Sequence, residues 1–211
     1  HSQSLKVANG LQVERLLRQN EEIKKLNEEY DEIDIYSGTE MDILPDGSLD
    51  YDDEVLAQLD YVIAAIHQSF NQSEDEIMKR LEVACKNPYV RHIAHPTGRI
   101  IGRRPGYKPN IEKLMKLAEE TNTILEINAN PKRLDLNAET VRKYPNVKLT
   151  INTDAHHTNH LEFMKYGVAT AQKGFVTKDR VINALSREEF KSLVENNIKS
   201  VSYTHLRAHE T

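Results

Sequence analysis

The chain has 211 residues, of which 38% are hydrophobic and 29% charged, with a formal net charge of -5; this fits one globular domain plus at most a small second one and argues against long disorder. Its longest purely apolar run, Tyr61 to Ile66, is far short of the ~20 residues that a membrane helix needs, so a spanning helix is excluded. A lone cysteine, Cys85, excludes an internal disulfide framework and a cysteine-based zinc cluster, and the acidic balance leaves only local basic patches for nucleic acid.

The opening residues HSQSLKVANG lack the apolar core of a signal peptide, so a cytoplasmic location with no membrane partner is expected. The chain starts on His1 without an initiator Met, and we expect it to be part of something longer.

In chain order, Leu11 to Tyr30 spaces apolar residues as a helix does, and Ile33 to Ile43 alternates as a strand. Pro45 and Asp46-Gly47 mark a turn, and Asp53 to Leu59 a short helix. Tyr61 to Ile66 is apolar throughout, as a parallel strand covered on both faces would be. Ser73 to Lys86 is a helix opened by a capping box of Ser73 and Glu76. Strands are predicted at Val90 to Ala94, Thr123 to Asn128 and Val147 to Asn152, with helices at Ile111 to Glu120 and Asn137 to Lys143. A short helix at Glu162 to Tyr166, a short strand at Gly167 to Thr170, and helices at Lys178 to Leu185 and Ser186 to Asn196 complete the pattern. Repeated strand–helix units predict an α/β fold with a parallel sheet, either a barrel or doubly wound. The last ten residues, SYTHLRAHET, have no apolar period and look like translated adapter sequence, so residues 198–211 are expected to be a disordered or non-native tail and His205 and His209 are set aside.

Nine histidines is a high count, and their placement is informative. Glu40 lies in a strand, His67 and His95 end two strands, and Asp154 and His156 follow a third. The C-terminal ends of parallel strands converge on the active-site face. A single strand-end histidine is more commonly a hydrogen-bonded loop residue than a ligand; ligand-type residues at four strand ends point to a polynuclear metal site. Imidazole with carboxylate suits Zn²⁺, Mn²⁺ or Fe. His92, within a strand, is expected to face the helix layer in a structural role, and His157 and His160 to lie around the site or in solvent.

The segments SGTEMDILPDGSLDY, AAIHQSFNQSEDEI, IAHPTGRIIGRRPGY, LEINANPKRLDLN and INTDAHHTNHLEFMKYGVATA resemble the polymerase and histidinol phosphatase (PHP) domain, in the version found at the C-terminus of family X DNA polymerases, from His1 to about Val194. The resemblance implies a distorted (β/α)7 barrel, over residues 1–197, with up to three metals. Glu40 matches the bridging carboxylate, His67 and His95 the imidazoles that share a metal with it, Asp154 a ligand of the first metal, and His1 and His156 ligands of a third. Glu40, Asp154 and His156 would form the catalytic core. The family's opening His-x-His strand has no counterpart here, so the barrel is expected to be incomplete at its N-terminus.

The implied activity is metal-dependent 3′–5′ exonuclease or 3′-end phosphodiesterase action on DNA, with a polymerase domain in cis. Arg99, Arg103, Arg104 and Lys108, with Tyr107 beside them, and Lys132 and Arg133 fall on the same rim and could grip a single strand by phosphate pairing and base stacking. Two other readings stay open: a small-phosphomonoester phosphatase, and a non-catalytic metal-binding domain that supports the polymerase.

Overall fold

The computed structural model describes residues 1–196; the expected tail at 198–211 lies outside them. Five parallel strands, β1 (Gly38–Asp42), β2 (Tyr61–Ala65), β3 (Val90–Ile93), β4 (Ile124–Asn128) and β5 (Leu149–Asn152), stand side by side in chain order. Helices α1 (Val13–Glu29), α2 (Asp53–Leu56), α3 (Glu74–Lys86), α4 (Ile111–Glu120), α5 (Ala138–Lys143), α6 (Met164–Lys173) and α7 (Arg187–Glu195) accompany them. The strand order never reverses, so the sheet is not doubly wound, and this winding is compatible with a TIM-like fold. None of the described helices is long and apolar enough to cross a membrane.

Alternation along the strands separates two chemistries. Met41, Ala64, Ile93, Leu125 and Leu149 are register partners across all five strands, and each is fully buried. The other face presents Glu40, Ile63, His92, Glu126, Asn128, Thr150 and Asn152 to a cavity of about 270 Å³. A sheet with one apolar and one polar face buries the first under helices and keeps the second for a site.

Several helices begin where the sequence places a cap. Ser73 and Glu76 form the expected capping box on α3, Asn137 accepts from the Thr140 amide on α5, and Ser186 with Glu189 caps α7.

Three expectations are corrected. The strand expected from Ile33 begins only at Gly38, because the Asn27 side chain takes both backbone groups of Ile35 in place of a neighbouring strand. The strand expected at Gly167 to Thr170 is helical within α6, where Gly167 and Ala171 are one turn apart and buried; a Cβ on Gly167 would lie 2.4 Å from Ile151 Cγ2, so the small residues here serve close helix–sheet packing. The helix expected from Lys178 to Leu185 is two short 3-10 turns around Val181, which bridges Leu149 in parallel and starts a sixth position in the sheet. Arg180 is buried beside it and donates to the carbonyls of Val141, Tyr144 and Val147, an arrangement a continuous helix would break.

Candidate metal centre

Glu40 of β1 is ringed by imidazoles. His95 Nε2 lies 2.9 Å and His67 Nε2 3.2 Å from its Oε1, and His1 Nδ1 lies 3.4 Å from its Oε2. The rings meet edge to face, His1 with His67 at 4.8 Å and His67 with His95 at 5.2 Å between centroids. His67 is oriented from behind: its Nδ1 sits 2.8 Å from Oδ1 of the fully buried Asp42, whose backbone N–H donates to Ser2 Oγ. A buried carboxylate on the far nitrogen is the usual support of a metal-ligating imidazole.

Charge follows from this packing. Burial works against the Glu40 carboxylate, but the hydrogen bonds from His67 and His95 outweigh it and hold its pKa well below the usual range. Burial also works against a charged His67, yet Asp42 and Glu40 prevail and raise it to about 9. The donor set fits a divalent cation. Ligand atoms of His1, Glu40 and His67 lie within 4.8 Å of one another, and the buried His1 Nδ1 and His95 Nδ1 have no hydrogen-bond partner.

Asp154 stands across the same cavity after β5. Its Oδ2 accepts from Arg133 Nε at 2.9 Å and from Asn128 Nδ2 at 3.3 Å. His156 is 65% exposed at its side chain, with Nδ1 2.8 Å from the Asp154 carbonyl oxygen. His1 therefore groups with Glu40 and His67 rather than with His156, and the six expected ligands form a tight set of four and a separate pair. His160 Nδ1 accepts the His156 N–H, close to the expected surrounding role; His157 is exposed.

The basic loop is only partly available. Arg99 donates to the carbonyls of Arg133 and Leu134, and Arg104 donates to Gly98 O and lies 4.1 Å over the Phe70 ring. Both guanidinium groups hold the loop together. Tyr107, expected beside a bound strand, is instead buried and stacked on Phe70, because the turn at Gly98 and Gly106 folds it inward against the chain. Arg103, Lys108 and Lys132 are exposed. His92 also differs from expectation: its ring lines the cavity, bonded to Thr150 Oγ1, rather than facing the helices.

Sequence reasoning missed Asp42, Glu126, Asn128 and Asn152. The signal was present: TEMD and EIN each place two polar side chains at i and i+2, on one strand face. Glu126 is buried at 4% exposure, and burial lifts its pKa to about 7. Its Oε2 accepts the His95 backbone N–H at 2.6 Å and its Oε1 accepts from Asn152 Nδ2 at 2.9 Å.

Over 199 residues, 93% of its length, the chain is 55% identical to the DNA polymerase/3′-5′ exonuclease PolX of Bacillus subtilis. The likeness runs over nearly the whole of this chain. The chain spans 35% of the length of PolX. It is also 29% identical to a probable phosphatase of Thermoanaerobacter sp., matching 76% of this chain and 68% of that protein. A probable phosphatase of Caldanaerobacter subterraneus is 36% identical over 110 residues, half of this chain and 41% of that protein. No family model matches the chain.

Proposed function

We propose that this chain is the metal-dependent phosphoesterase module of a family X repair polymerase, acting as a 3′–5′ exonuclease or 3′-end phosphodiesterase on DNA. The observation that carries the reading is a buried carboxylate, Glu40, encircled by His1, His67 and His95 in a chain 55% identical to PolX. Residues 1–197 form the module, the wall of a distorted (β/α)7 barrel, and work with a polymerase domain in cis. Up to three divalent cations, Mn²⁺ or Zn²⁺ or alternatively Fe, would supply a nucleophile at neutral pH and neutralise phosphate charge.

The protein groups divide the remaining work. Glu40 offers one oxygen toward His67 and His95 and the other toward His1, and these four residues would hold the cations on this wall. Asp42 keeps His67 in the tautomer that presents Nε2 to the site. Asp154 and His156 supply the ligands on the far wall. Arg133 is already aimed at that wall through its Nε, and its Nη1 is buried without a partner. This guanidinium can take a phosphate oxygen in the cavity. Arg103, Lys108 and Lys132 lie exposed for the flanking backbone, where each contact adds salt-dependent affinity. Arg99 and Arg104 act indirectly, by shaping the loop.

The small-phosphomonoester reading is favoured by one finding, the match to 68% of a probable phosphatase. The test is to load the chain with Mn²⁺ and offer it a 5′-labelled single-stranded oligonucleotide and p-nitrophenyl phosphate in parallel. The nuclease reading expects shortening of the oligonucleotide from its 3′ end, abolished in the His67→Ala, His95→Ala double variant. Turnover of p-nitrophenyl phosphate alone would assign the phosphatase, and turnover of neither, with Mn²⁺ bound, would assign a metal-binding support domain.

A further inference from the structure

Two of the residues facing the cavity sit in backbone conformations that L side chains avoid. His95 has φ of 30° and Asp154 φ of 51°. Each such position is strained and persists only when its surroundings over-determine it. At His95 the consequence is visible: Ala94 and His95 are consecutive yet both line the cavity, whereas strand alternation would send one of them to the opposite face.

Both positions are tied to the same two side chains on the central part of β4. The carboxylate of Glu126 accepts the His95 backbone N–H at 2.6 Å. Asn128, fully buried two residues on, donates through Nδ2 to Glu126 Oε2 at 3.1 Å and to Asp154 Oδ2 at 3.3 Å. Asn152 fixes the other Glu126 oxygen, so the carboxylate cannot rotate away. The His95 carbonyl is held in turn by the Gly98 N–H and the Tyr107 hydroxyl. We infer that Glu126 and Asn128 are a shared positioning pair: one buried carboxylate–carboxamide unit sets His95 on one wall and Asp154 on the other, so the two walls of the metal centre are placed together rather than separately. The inference rests on the phosphoesterase reading for its functional meaning, and on geometry alone for the anchoring.

The test uses the full chain with Glu126→Gln and Asn128→Ala, in two measurements. In the chelator-treated, metal-free protein, a backbone N–H bonded to a carboxylate resonates downfield and exchanges slowly. The His95 amide should show both, and Glu126→Gln should move it upfield. By Mn²⁺ calorimetry each variant should bind about 10–100-fold more weakly, the range seen for residues that orient ligands. In an Asp154→Ala background Asn128→Ala should cost less, because one of its two targets is gone. An ordinary His95 amide in the unmodified chain would overturn the proposal without any variant having to fold. So would an Asn128→Ala penalty of the same size with and without Asp154, since that is what general structural damage produces. If the unmodified chain bound no Mn²⁺, the phosphoesterase reading would fall, while the His95 amide would still decide the anchoring.

Discussion

Among single residues, His92 shows how burial sets chemistry independently of sequence context. Burial depresses its pKa to about 3, and Thr150 holds the neutral ring. The unfolded chain takes up a proton near pH 6.5 and the folded one does not, so this group's stability is present above pH 6.5 and falls as the pH drops toward 3. At pH 5 the loss amounts to on the order of 2 kcal/mol, about 1.4 kcal/mol for each unit below 6.5. Glu126 and His67, whose pKa values are raised, act in the opposite sense in both chains, so the readout is the difference: from pH 7 to pH 5 the urea midpoint of the parent should lose ground to that of His92→Gln, and parallel profiles would show that His92 contributes nothing. The identity of His92 was legible in the sequence, but its direction was not, because β2 and β3 shift register between Val62 and Ile63 and no local pattern announces such an irregularity. His67 and His95 were legible because each ends a predicted strand. The i, i+2 spacing of Glu40 and Asp42 marked a shared strand face, but the role of Asp42 was not legible until its partner, 25 residues away, was known.

At the scale of elements, packing overrode propensity at α6. The sequence GVAT has strand-like content, yet the segment folds as a helix because Gly167 lets its backbone approach Ile151 and Ala129. An added methyl at Gly167 would lie 2.4 Å from Ile151 Cγ2 and 2.7 Å from Ala129 Cβ, closer than atoms tolerate. Gly167→Ala should therefore destabilise the chain by about 1–3 kcal/mol despite alanine's better helix propensity. Thermal melts with and without this change decide it: an unchanged or raised midpoint would mean that α6 sits farther from the sheet. Where the signal was local, as in the capping box of Ser73 and Glu76, sequence and structure agree to the residue.

Across the whole molecule, the last helix reaches back to the first strands. Arg187 at the start of α7 makes a paired contact with Asp34, through Nε at 2.6 Å and Nη2 at 2.7 Å. Phe190 lines the cavity, stacked on Tyr61 and edge-on to Tyr36. Contacts 153 residues apart in sequence thus tie α7 to the segments around β1 and β2. Phe190→Ala should cost about 1–2 kcal/mol, less than a fully buried phenylalanine because the ring is half-buried. Arg187→Ala should cost less, because the pair is solvent-exposed and screened. Urea unfolding followed by tyrosine fluorescence would rank the two; an Arg187 effect equal to or above that of Phe190 would mean that the ion pair, not the ring, holds α7 in place.

The sequence by itself determined most of the alternation of strands and helices, the helix caps, and the ligand-type residues at strand ends. Each of these is written in spacing over a few residues, which periodicity and caps make readable. Tertiary structure alone decided which ligands meet: His1 joins Glu40 and His67, while His156 stays with Asp154. It also withdrew Arg99, Arg104 and Tyr107 from the surface and brought Glu126 and Asn128 under two walls of one site. The physical reason is that a hydrogen bond or an imidazole contact is set by angstroms between segments tens of residues apart, and a linear pattern carries no record of where the chain returns.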